Sequence, residues 1–215
     1  MAGIRKLTLL AVVVGVIVGS GLPAGAVDRT RLDVAGVSSW VASLEVVGLD
    51  SHDTQAIKAL WGEFVTGLPA QAPCLLASPP VIEANSNMSP RAAYAPSIST
   101  LYVRPGDLEP LVVFHELAHH LDFTCGAAEA IGAEFRDAQG ISASKPWWQH
   151  GSPVSWPAEY FANAVAISLG EHSRHGVTEA AVEVVSVWSG RTQPAPDPVP
   201  PLTLDEPGAI TPRLF

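Results

Sequence analysis

Along the chain, apolar positions recur at helical spacing in several blocks, and at strand spacing in fewer. Ile57, Leu60, Trp61, Phe64 and Val65 mark a helix over 53–66, with Asp53 as its cap. Four prolines between 69 and 80 then predict a loop-rich stretch around Cys74. Two β-rich runs follow, 81–84 and 98–103, separated by the polar turn residues 85–90 and the Tyr94-Ala95-Pro96 segment. Asp107 is placed to cap the next helix, with Pro110 in its first turn, and that helix is expected to reach about Phe123. A helix over 127–139 ends at Gly140. Residues 141–154 read as loop, Ser155 as the cap of a helix over 156–169, and 177–188 as a last amphipathic helix.

Both ends depart from this pattern. Arg5 and Lys6 precede an apolar run from Leu7 to Val18, and Ala24-Gly25-Ala26 closes a small, flexible stretch. That is the order of a secretory signal, so residues 1–26 are expected to be cleaved after Ala26, with the mature protein exported and not held in a membrane. After Arg191 seven prolines fall within 194–212, which predicts a flexible tail over 191–215 behind a single domain over 27–190.

Composition narrows the function. A net charge of −9, or −11 once Arg5 and Lys6 are removed, gives no attraction for phosphate backbones or anionic lipid. Nucleic acid is therefore not an expected partner, and a monomer is expected. Cys74 and Cys125 are the two cysteines. In an oxidising compartment a disulfide between them is expected, tying the end of the 107–123 helix to the N-terminal half.

The chemistry concentrates in His115-Glu116-Leu117-Ala118-His119. Residues four apart leave one helical face a turn apart, so His115 and His119 can meet at one ion, with zinc the expected metal. Glu116 projects about 100° round the helix, where its carboxylate serves as a general base rather than a ligand. A catalytic zinc needs a third protein ligand. The metzincin arrangement requires Gly at 122 and His at 125; the chain has Asp122 and Cys125. Glu159, in the first turn of a helix rich in small residues, is the better candidate. By itself it is equally a glutamate favoured by the helix dipole.

Two segments together carry a resemblance. His115-Glu-Leu-Ala-His-His-Leu-Asp122, followed by Pro157-Ala-Glu-Tyr-Phe-Ala162, resembles the gluzincin metallopeptidases of the anthrax lethal factor and Mlc titration factor type. The resemblance covers about 98–169. It implies an α+β, zincin-like fold in which a small, mainly antiparallel sheet packs beside the metal helix. It implies His115, His119 and Glu159 as zinc ligands, Glu116 as general base, and the run 98–103 as the edge strand that binds an extended peptide or protein substrate. Relatives carry a tyrosine seven residues before the third ligand, where this chain has Ser152; His150, Tyr160 and Tyr94 are the substitutes as oxyanion donor. Asp122 is expected to orient a ligand or cap the helix. Asn163, where relatives often have a carboxylate, is expected either to accept a ligand N–H or to fill a helix contact. His120 reads as an exposed neighbour, and His172 and His175 as helix-end caps. The expected activity is zinc-dependent peptide hydrolysis. The alternative is a secreted zinc-binding module without catalysis.

Overall fold

Asp50, not Asp53, starts the first helix. Its carboxylate accepts the Asp53 N–H at 2.8 Å, while the Asp53 side chain turns inward and accepts the Gly106 N–H at 2.7 Å. The computed structural model describes residues 44–148, 156–172 and 176–191. The signal-like segment 1–26, the Pro-rich tail beyond Arg191, Ser155 and the whole stretch 149–155 therefore lie outside the described residues.

The elements run β1 (Val46–Val47), α1 (Ser51–Gly67), α2 (Ala72–Ala77), β2 (Val81–Ala84), β3 (Ala92–Ala95), a 3₁₀ turn (Pro96–Ile98), β4 (Thr100–Val103), α3 (Pro110–Cys125), α4 (Ala127–Ala130), α5 (Gly132–Gln139), α6 (Pro157–Ser168) and α7 (Glu179–Ser189). The class is mixed α+β, as expected. The sheet differs from expectation. Its order is β1-β2-β4-β3, with β1–β2 and β2–β4 parallel and only β3–β4 antiparallel. The parallel pairs arise because α1 and α2 carry the chain from β1 back to β2, and the β3 excursion carries it from β2 back to β4.

A second correction concerns the edge. The run expected there, 98–103, supplies the interior strand β4; Leu101 and Val103 are fully buried. The two edges are β1 and β3, and the one beside α3 is β3, whose alanine-rich Ala92-Ala93-Tyr94-Ala95 gives little β signal and forms a strand by pairing with β4. Two helix expectations also change. The stretch between 69 and 80 contains α2, and the helix over 127–139 breaks at Ile131, which leaves helical geometry (φ −131°, ψ 2°) as its side chain buries.

Apolar faces of the helices and sheet form one core around Trp61, Phe64, Phe114, Phe135 and Phe161. Within it α3 packs most extensively against α6, where Ala158, Ala162, Ala164 and Ala166 are all buried. Small side chains permit this close approach, and it brings Glu159 to the metal-motif face of α3. Cys74 of α2 and Cys125 at the end of α3 stand at disulfide distance, with Cα atoms 5.9 Å apart. Among the described residues no helix is long and apolar enough to cross a membrane.

Candidate metal centre

The α3 helix begins without a side-chain cap. Glu109 stands at the cap position, and Asp107 instead pairs with Arg91 and Arg104. Two turns further on, its inward face delivers His115 and His119, whose rings meet edge to face with centroids 4.8 Å apart. Opposite them, α6 delivers Glu159 from its first turn. The His115 Nε2 lies 3.1 Å from Glu159 Oε2 and 3.2 Å from His119 Nε2, and His119 Nε2 lies 3.5 Å from Glu159 Oε1. The three expected ligand residues thus form one group that can hold a metal ion.

Hydrogen bonding behind His115 sharpens that conclusion. Asn163, one turn after Glu159, donates its amide N–H to the Glu159 carbonyl at 2.9 Å, which fixes the amide orientation. Its Oδ1 then faces His115 Nδ1 at 3.3 Å and accepts the N–H there. A neutral His115 therefore presents its Nε2 lone pair to the Glu159 carboxylate and to His119 Nε2. Lone pairs meeting in this way call for a cation between them. A tetrahedral zinc with ligands at about 2.0–2.1 Å separates its ligand atoms by roughly 3.3 Å, so the spacing fits.

The electrostatics describe the same point when a proton occupies it. Burial works to lower the basicity of His115. The Glu159 hydrogen bond, the Glu116 and Glu159 charges and the Asn163 bond outweigh it, leaving the pKa raised. Burial likewise works to raise the Glu159 pKa. Hydrogen bonds from His115 and His119 and their charges outweigh that, holding the carboxyl well below its usual range.

Glu116 stands beside the ligands, and its Oε2 accepts the backbone N–H of Tyr94 at 2.9 Å. An edge-strand amide thus fixes the carboxylate. The Tyr94 hydroxyl is engaged elsewhere, 3.0 Å from His120 Nδ1. His120 is fully buried rather than exposed. Its Nε2 donates to the Ser78 carbonyl at 2.9 Å, so Nδ1 accepts from Tyr94, and burial lowers its pKa to about 4. The adjacent-histidine pattern conceals this because His120 faces α2 and β3, not solvent.

No family model matches the chain, and neither does any curated protein or solved structure.

Asp122 does not bond a ligand. Its carboxylate accepts the indole N–H groups of Trp147 at 2.6 Å and Trp148 at 2.7 Å, and the Ala128 N–H at 3.0 Å. The last bond caps α4, while the indole bond sets Trp148 against His119, centroids 4.8 Å apart. Burial raises the Asp122 pKa against the pull of these donors. Of the expected oxyanion donors, His150 lies outside the described residues, as do Ser152 and His175. Tyr160 is half-buried against the core, with no hydrogen bond to the ligand group among the described residues. His172 is exposed beyond the end of α6.

An open cleft of about 310 Å³ adjoins the group, lined by Pro90, Ala92, Leu111 and Val112 together with His115, Glu116, Glu159 and Asn163. Arg91 on its rim is paired with Glu109 and Asp107. A second grouping, Asp50, His52 and Asp53, has a structural explanation in the α1 cap and the Gly106 bond.

Proposed function

We propose that this chain is an exported zinc metallopeptidase, with His115, His119 and Glu159 as ligands and Glu116 as general base. The observation that carries this reading is the fixed Glu116 carboxylate beside three converging ligand atoms, in a cleft bordered by the β3 strand. Two imidazole nitrogens and one carboxylate form a donor set typical of catalytic zinc, which retains an open position. When bound there, zinc supplies Lewis acidity for the scissile carbonyl and acidity for water near neutral pH.

The chain's own groups supply the rest. Asn163 holds His115 in the tautomer whose Nε2 lone pair faces the ion. Trp148 and the α6 contact hold His119 and Glu159 in place. Glu116 takes a proton from the attacking water and returns it to the leaving amine. The apolar walls of the cleft exclude water from one side of the reacting bond.

The test compares wild type with Glu116→Gln on a broad peptide library. Both proteins should hold one zinc, and only wild type should cleave. A zinc-loaded wild type that cleaves nothing would favour a non-catalytic zinc-binding module.

A further inference from the structure

The cleft takes Leu111 and Val112 from the start of α3, while towards the end of that helix, past His119, three aromatic rings lie in a row. Trp148 contacts His119; Phe123 lies 4.6 Å from Trp148; Tyr94 lies 6.1 Å from Phe123. We infer that Trp148, Phe123 and Tyr94 form a subsite for an aromatic or large aliphatic substrate side chain on the amino side of the scissile bond. The inference rests on the peptidase reading and adds a substrate class to it.

Phe123 is 47% exposed. A single exposed apolar residue is ordinary on a protein surface. Phe123 differs in being flanked by two rings that are each oriented by bonds to buried groups. The Trp148 indole N–H is held by Asp122, and the Tyr94 hydroxyl by His120. Such a shelf is set before any ligand arrives, so little side-chain freedom is lost on binding. Aromatic faces of this kind favour rings and bulky aliphatic groups.

The neighbouring backbone gives the occupant and its direction. Tyr94 pairs with Leu101, and Ala92 with Val103, in the antiparallel β3–β4 ladder. The Tyr94 N–H points away from β4, to Glu116, so this pair and its neighbour two residues away turn their backbone groups to the open edge. The Tyr94 carbonyl thus faces a position where an extended peptide can add as a strand, while Ala92, itself buried, lines the cleft. Antiparallel addition gives the better hydrogen bonds. It lays the amino side of the peptide at the Tyr94 end, against the shelf, and the carboxyl side at the Ala92 end, against the cleft.

The experiment profiles cleavage of a peptide library by zinc-loaded wild type and Phe123→Ala. Cleavage sites should be enriched in Phe, Tyr, Trp or Leu on the amino side of the cut. Phe123→Ala should lower kcat/KM about tenfold for a peptide with Phe there, and less than twofold for one with Ala. Cleavage without that enrichment, or with the enrichment on the carboxyl side, overturns the shelf and leaves the peptidase reading intact. So does an equal effect of Phe123→Ala on both peptides. If wild type cleaves nothing, the peptidase reading fails, and binding to zinc-loaded Glu116→Gln decides the shelf. A Phe peptide bound about tenfold more tightly than its Ala counterpart, with the difference lost in Phe123→Ala, supports it; equal binding overturns it.

Discussion

The backbone N–H of Tyr94 donates to the Glu116 carboxylate at 2.9 Å, joining the sheet edge to the residue assigned the proton transfers. Because the donor is main chain, replacing the side chain leaves it in place. Tyr94→Phe removes only the hydroxyl that faces His120. Peptidase activity should stay within about threefold of wild type, while unfolding stability falls by about 1 kcal/mol. Steady-state kinetics beside urea denaturation check both parts.

Asn163 accepts the His115 Nδ1–H and is itself oriented by the Glu159 carbonyl. Asn163→Ala should therefore weaken zinc binding by about 10- to 100-fold. Asn163→Asp, which keeps an acceptor and adds charge, should retain wild-type affinity or exceed it. Competition with a chromogenic chelator measures the two variants on one scale.

His120 gives a pH dependence with a definite sign. Its folded pKa of about 4 lies below the ordinary histidine value of 6.5, so the unfolded chain binds the proton more readily. The stability this histidine contributes is complete above about pH 6.5. It falls as pH drops towards 4 and is level below that, a loss of roughly 3 kcal/mol. Metal-free wild type should lose that much more stability than His120→Gln over the same window, measured by urea unfolding.

The Cys74–Cys125 pair spans 51 residues and ties α2 to the end of the metal helix. Chain-entropy reasoning gives a cross-link of this span about 4 kcal/mol. The Cys74→Ser, Cys125→Ser double variant should lose stability on that order yet still bind one zinc at low temperature. Thermal unfolding and zinc analysis report the two effects separately.

Much of the site was legible from spacing because helical geometry is local. His115, Glu116 and His119 needed only their positions along one helix, whereas Glu159 alone reads equally as a helix-dipole glutamate and was implied as a ligand by the resemblance of its Pro-Ala-Glu-Tyr-Phe-Ala segment. Contacts set by other elements were not legible. The Ala92–Ala95 stretch has weak strand propensity and becomes the edge through its pairing with β4. His120 reads as exposed until α2 and β3 are placed over it. Spacing left Asp122 open between orienting a ligand and capping a helix; its carboxylate gathers two tryptophans that lie 25 and 26 residues later in the chain and accepts the Ala128 N–H.

Zinc stoichiometry in wild type and Glu159→Ala, determined by elemental analysis after dialysis against a weak chelator, tests the central claim most directly. The convergence of His115, His119 and Glu159 predicts one zinc per wild-type chain and well under half an equivalent in the variant. A wild type that retains no zinc, or a Glu159→Ala protein that retains a full equivalent, would contradict it.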